Sequence, residues 1–447
     1  MAGLSIRTKN GNIDSLVINT TSTNKLGGTI NATEVTNIKE VNVTNSGVTS
    51  LSGGSNLTKI IFNGNNISNF SAIYPGISAF TNLTQLKLTS DNSLAGAVPS
   101  IDNNILLNTI DLNGNSLTGS IPSLSALSIL EKAVFDSNSF SGTLNSVEHT
   151  SLSTLKEFRV KNNNLTGSIP TLSALSAVEW LDFRNQTGTG FTGDVPFLSA
   201  NHKLIQVYLN GNNSLSGVMP SLSAPSLRNV NISKKGTQVG GNFSSDVFGF
   251  SGNFHDFNTT PELETYHAFR NNLSGSAPDL SACPDLITID FNENHLTGVI
   301  PYVNNLTKIK NLSLNNNGFS GHLPEFTNLT SLTFFRINAN QRQGSGGLVG
   351  NIPDLSGSIN LKTLDAASNQ LSGWSGSVWP SSVTNQNIQI QNNSLTTAAV
   401  DAFLAAVDAA GGTNGTLNIG GSNASPTGGA SNSNRLSLVS KGWTVGI

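Results

Sequence analysis

Residues 107–129 read LNTIDLNGNSLTGSIPSLSALSI, and residues 155–177 return almost the same string, LKEFRVKNNNLTGSIPTLSALSA. Further copies start at Leu57, Leu83, Leu130, Val178, Leu204, Leu227, Leu263, Leu286, Ile309, Leu332 and Leu361, and the starts from Leu263 to Leu332 fall every 23 residues. A period of this length means one supersecondary unit per copy. No single unit can bury its apolar side alone, so the copies must stack. Positions one, four and six of each copy are apolar, as in Leu107, Ile110 and Leu112. The alternation around positions four and six is that of a short half-buried strand.

Position nine is Asn in most copies: Asn65, Asn115, Asn138, Asn163, Asn212, Asn271, Asn294, Asn317, Asn340 and Asn369. A carboxamide both donates and accepts, so at a turn it can satisfy backbone groups that stacking would otherwise leave buried and unpaired. These residues are expected to form a structural ladder.

With the continuation Leu-Thr-Gly-x-Ile-Pro at Leu117–Pro122, Leu165–Pro170 and Leu296–Pro301, the pattern resembles the leucine-rich repeat family in its plant-type subclass, over residues 57–392. That resemblance implies a mainly β, right-handed solenoid with a parallel sheet on its concave side and irregular or short extended turns on the other. Plant receptor ectodomains of this subclass usually cap their ends with paired cysteines, whereas this chain has one, Cys283. With no basic neighbour in sequence to activate it, Cys283 reads as a buried structural thiol.

Around the repeats, residues 1–56 carry degenerate copies and read as an N-terminal cap, needed to cover the first strand. Residues 393–447 form a C-terminal cap. Apolar residues at Val400, Phe403, Leu404 and Val407 predict one short helix over 396–410, with Gly411 as its stop, followed by a strand at 416–419. The ending GGSNASPTGGASNSNRLSLVSKGWTV resembles that of bacteriophage virion proteins, including leucine-rich ones. The copy starting at Leu227 contains an insertion with Phe243, Phe248, Phe250, Phe254 and Phe257, and the copy starting at Leu332 carries Gly-rich residues 341–347. Insertions in a solenoid fall in surface loops; five exposed Phe would be a liability, so the first is expected to pack or to make a contact.

The composition excludes several functions. Charged residues are 11% of the 447, with 23 basic and 26 acidic, net −3. That balance offers no electrostatic footprint for nucleic acid or an anionic membrane. The N-terminus lacks the apolar run of a secretory signal, and no stretch has the length for membrane insertion. Phosphate-loop, zinc-protease and Cys-x-x-Cys motifs are absent, and the six histidines fall in different copies. The expectation is no enzyme, no cofactor and no metal. The roughly twenty Asn-x-Ser/Thr triplets are read as products of the repeat rather than glycosylation sites.

Recognition should then lie on the sheet face, at outward positions three, five and seven, with equivalent positions about 4.8 Å apart on neighbouring turns. Most copies present Thr, Asn, Ser or Asp there. Three consecutive copies instead present Glu157, Arg159 and Lys161, then Trp180, Asp182 and Arg184, then Gln206, Tyr208 and Asn210. Arg159 and Asp182 share position five on adjacent strands and are expected to pair. Lys161 and Arg184 are like charges side by side at position seven, with Asp136 available to relieve Lys161. An aromatic beside cations and amides suits sugars, carboxylates or protein loops. Arg159, Lys161, Trp180, Asp182, Arg184, Gln206, Tyr208 and, in a weaker second group with Phe269, Phe334 and Arg336, His267 are the candidate ligand-binding residues. Taken with the ending, these features suggest a structural and adhesive component of a bacteriophage virion, made in the host cytoplasm, that binds a host surface glycan or protein and other virion proteins or copies of itself. The alternative is a bacterial cell-surface or secreted recognition protein.

Overall fold

In the computed structural model, residues 3–9, 12–20, 25–90, 94–144, 152–196, 198–234, 249–341, 346–380 and 384–447 are described. The chain is a mainly β, parallel-sheet solenoid, and it divides into two compact units, Met1–Ser216 and Gly217–Ile447. In the first, Gly3–Lys9 folds back antiparallel on Asn12–Asn19. The following strands, from Glu40–Thr44 through Lys59–Asn63, Gln85–Thr89 and Thr109–Asp111 to Gln206–Tyr208, each add in parallel to the one before. The second unit stacks parallel strands from Asn229–Asn231 to Thr444–Gly446. Both units also carry short parallel pairings in the Leu-Thr-Gly tails, such as Ser116–Thr118 on Ala95–Ala97 and His295–Gly298 on Asn272–Ser276.

The apolar positions explain the stacking. Leu107, Ile110, Leu112 and Leu117 are almost fully enclosed, as are their counterparts Leu286, Ile289, Phe291 and Leu296. Each turn therefore removes several large side chains from water only because the next turn covers them. Position eight is the bend that makes this possible. Ser137, Asn162, Asn185, Arg270, Glu293, Asn316, Ala339 and Ser368 all have φ between 53° and 59°, and Gly114 and Gly211 hold the same place. Left-handed backbone is unfavourable for side chains such as Arg270 and Glu293. Those two stand on neighbouring turns, and Arg270 Nε donates to Glu293 Oε2 at 2.8 Å.

The bend turns position nine inward. Asn294 Nδ2 donates to the carbonyls of Ala268 at 2.9 Å and Phe291 at 3.0 Å, while its Oδ1 accepts from Leu273 N at 3.2 Å. Asn163 repeats the arrangement with Phe135 O, Val160 O and Phe140 N. The amides thus bond to the backbone of their own and the preceding turn. Gln186, at position nine of its copy, reaches Val160 O at 2.9 Å and Leu165 N at 3.1 Å. Asn393 and Asn423 carry the ladder into the C-terminal cap.

One sequence expectation changes at the C-terminal end. The helix α1, Thr397–Ala409, is capped by Thr396, whose hydroxyl accepts from Ala399 N, and it buries Val400, Phe403, Leu404 and Val407. A second helix, α2, Ser433–Ser440, was not expected; the described residues contain two short α-helices rather than one. Eight residues with only Leu438 buried give almost no periodic signal, and its start is set by Asn432, whose side chain accepts from Asn434 N and Arg435 N. Trp443 then closes the cap, with Nε1 donating to Gly412 O at 2.8 Å.

The first insertion is described only at its margins; Phe243 and Phe248 lie outside the described residues, as do His149 and residues 342–345. Phe250 and Phe257 are core residues. Phe254, Phe257, Tyr266 and Phe291 form an aromatic cluster that His255 joins, its ring nitrogens shielded from water. Burial pushes the His255 pKa down to about 4. The Cys283 thiol, buried and donating to Thr260 O at 3.3 Å, is pushed up to about 11 by burial, as an inert structural thiol should be.

The ladder makes a direct stability prediction. Asn294→Ala strands the Leu273 amide and removes one of two carboxamide donors from each of the Ala268 and Phe291 carbonyls, and should lower stability by about 1–3 kcal/mol in chemical denaturation. Asn315→Ala, at half-buried outward position seven, should change it by less than about 0.5 kcal/mol. Asn292, also at position seven, is a poor control because its side chain donates to Asp290. Equal losses at Asn294 and Asn315 would contradict the ladder.

Candidate functional site

On the first unit, the sheet register places Glu157 beside Trp180 and Trp180 beside Gln206, with Arg159, Asp182 and Tyr208 in the next column. Position seven continues the pattern, because Asn162 N donates to Arg184 O at 3.1 Å and so brings the turns of Lys161 and Arg184 together. The structure therefore gathers Arg159, Lys161, Trp180, Asp182, Arg184, Gln206 and Tyr208 on one face of the first unit. His267 lies in the second unit.

The expected pairing of Arg159 with Asp182 does not occur, although the two residues are in register. Arg159 Nε donates to Asp136 Oδ2 at 2.8 Å, Nη2 contacts the same oxygen, and Nη1 reaches Glu157 at 3.0 Å. A long guanidinium reaches diagonally to position seven of the preceding turn, where Asp136 is almost fully enclosed. Asp136 Oδ1 also accepts from the Lys161 backbone N–H at 3.0 Å, while the Lys161 ammonium stands off at 3.7 Å. Asp136 is thus the anchor of this network, omitted from the candidate set because it precedes the three unusual copies. Its pKa is raised, burial outweighing Arg159 and Lys161. Glu157 completes the arrangement with Lys132 at 2.8 Å.

Asp182 shares that face but is fully covered there, with no measurable side-chain exposure. Its Oδ1 accepts from Arg184 N at 3.4 Å, a bond that Asp111, Asp290 and Asp365 repeat two residues along at the same position of other turns. Its Oδ2 lies 3.0 Å from Arg184 Nη2, an ion-pair distance without hydrogen-bond alignment. Burial pushes its pKa up to about 6, opposed by Arg184 and Lys161 and reinforced by Asp136.

The aromatics are covered by cations. The Arg159 guanidinium lies 4.4 Å from the centre of the Trp180 ring, and that of Arg184 lies 4.6 Å from the Tyr208 ring. Such contacts are worth about 0.5–1 kcal/mol at exposed sites, and they occupy one face of each ring. In the second unit, His267 Nδ1 is 4.0 Å from Asp290 Oδ2 and its ring meets Phe269 edge-on. Burial lowers its pKa, with Asp290 opposing. Further along, the Arg336 guanidinium lies 5.3 Å from the centre of the Phe334 ring. No group of three or more His, Cys, Asp or Glu able to hold a metal occurs among the described residues. No helix there is long and apolar enough to cross a membrane.

The Leucine Rich Repeat family model matches residues 106–126. Among solved structures, the Arabidopsis receptor kinase HAESA, in complex with the peptide hormone IDA and the co-receptor SERK1, is 24% identical with a TM-score of 0.70, over 90% of this chain and 65% of that one. The fold is a leucine-rich repeat solenoid. A TDR receptor is 21% identical with a TM-score of 0.67, over 94% of this chain and 74% of that chain. The plant peptide hormone receptor RGFR1, in complex with RGF2, is 20% identical with a TM-score of 0.58, over 93% and 78% of the two chains. The chain spans less than two thirds of the length of the HAESA structure. No curated protein matches its sequence.

On this face, Asp136 and Arg184 have different roles that substitution can separate. Asp136→Ala leaves Arg159 half-paired and the Lys161 amide without its acceptor, and should cost about 3 kcal/mol by denaturant titration. Arg184→Ala, removing a partly exposed cation, should cost less than about 1 kcal/mol. The reverse order would show that Asp136 is not the anchor.

Proposed function

We propose that this protein is a non-catalytic recognition scaffold, and that a protein segment docks on the outward strand face of the first unit around Trp180, Arg184, Gln206 and Tyr208. The observation that carries this reading is local. Where most other turns present small polar side chains, these adjacent turns present two half-buried aromatics backed by guanidiniums. Aromatics and Arg are the residues that concentrate binding energy at protein interfaces. The guanidiniums also cover ring faces that a neutral sugar would need for stacking, which favours a protein over a glycan. HAESA and RGFR1, whose structures hold peptide hormones, support a protein-type partner for this fold.

A second observation supports a setting for that role. The cap formed by Gly420–Ala424, Pro426 and Gly442–Val445 carries the resemblance to bacteriophage virion endings, so we assign the protein to a phage particle, exposed after lysis, where it would engage a host surface protein. Two measurements test this. Mass spectrometry of purified particles should find the chain. Labelled protein should bind host cells, and protease treatment of those cells should remove the binding. Trp180→Ala combined with Tyr208→Ala should reduce that binding at least about tenfold with the melting temperature nearly unchanged. Full binding by the double variant would move the site off this face.

A further inference from the structure

The cations of the recognition face are not equally engaged. Arg159 spends three nitrogens on Asp136 and Glu157. Among the described residues, the one carboxylate contact of Arg184 is the unaligned one to Asp182, with its flat face on Tyr208, and that of Lys161 is the 3.7 Å approach to Asp136. Both keep about a quarter of their side chains exposed, 28% and 25%, while Asp182 lies wholly enclosed. Two under-engaged cations therefore share position seven on adjacent turns and open to solvent, with Asp182 enclosed beside Arg184 and Asp136 beside Lys161.

We propose that Lys161 and Arg184 take up a side-chain carboxylate of an acidic protein segment, and that Asp182 is the internal counter-ion which that carboxylate replaces at Arg184. This rests on the recognition face proposed above and names the chemistry of its partner. Arg is suited to the role because its planar fork engages a carboxylate while its flat face stays on Tyr208. Net charge at the site is small while Asp182 is ionised, so the affinity is held down by the protein's own carboxylate.

The geometry also makes the site responsive to pH. The charged and titratable groups around Asp182 are Arg184 on its own strand, Arg159 and Lys161 on the preceding turn, Asp136 one turn further and Tyr208 on the following strand. With its pKa raised to about 6, Asp182 is mostly ionised at pH 7.5 and mostly neutral at pH 5.5. A glutamate side chain remains ionised over that interval. Lowering the pH thus removes the competitor without removing the ligand's charge, and binding should tighten.

The probe is synthetic hexaglutamate, titrated into the intact chain at low salt and followed by calorimetry. Wild-type protein should bind it about five-fold more tightly at pH 5.5 than at pH 7.5, the effect of neutralising one charge at ion-pair distance. Asp182→Asn, which keeps an oxygen for the Arg184 N–H, should bind at pH 7.5 as wild type does at pH 5.5 and lose the pH dependence. Arg184→Ala should lose most of the binding. The wild-type pH profile needs no substitution, so it decides even if a variant misfolds. A flat wild-type profile, or no binding of hexaglutamate at either pH, overturns the proposal. Tighter binding of an oligogalacturonate of equal charge would overturn the peptide assignment in favour of an acidic glycan. Failure here alongside intact, Trp180- and Tyr208-dependent cell binding would remove the acidic partner and leave the recognition face standing.

Discussion

Everything in this solenoid depends on how the turn at position nine disposes of its backbone polar groups. A stack of short strands buries leucines easily, but each turn also carries carbonyls and amides into the interior, where an unpaired group costs more than a methylene contributes. The carboxamide resolves this with one side chain. Asn294 bonds Ala268 O, Phe291 O and Leu273 N, spanning two turns and sharing the carbonyls with Asn271 and Asn317. Because these bonds reach across turns, each amide also sets the spacing of its neighbours and hence the register of the outward columns. The left-handed bend at position eight is what points the amide inward, and its strain is spread along the column.

That division of labour leaves the outward face free to vary. Positions three, five and seven contribute little to the core, so three consecutive turns can carry Arg159, Trp180 and Tyr208 without disturbing the stack. The freedom has limits at Asp182 and Asp136. Both are buried beneath the face, one holding the Arg184 amide and the other the Lys161 amide, so part of the apparent surface chemistry belongs to the scaffold.

Much of this was legible in the sequence because period and residue type coincide. Leucines at positions one, four and six and Asn at nine give the solenoid directly, and Val400, Phe403, Leu404 and Val407 give α1. Gln186 at position nine departs from the Asn pattern, although its longer side chain makes the same bonds. The bend at position eight was missed, yet the Gly and Asn recurring there were a usable signal. The Arg159 partner was not legible. Register places Asp182 beside it, but the reach of a guanidinium across a twisted pleat lets Asp136 win, and sequence spacing does not encode that diagonal. The helix α2 rests on the Asn432 cap and one buried leucine, too little for a periodicity argument.

The claim that the amide ladder holds the turns together is tested most directly by native-state hydrogen exchange. The N–H groups of Phe140, Leu165, Leu273 and Leu296 donate to ladder oxygens. The account predicts that they exchange as slowly as the amides of the main strands, through opening of whole turns. Exchange at the rate of open loop amides, with the main strands still protected, would contradict it.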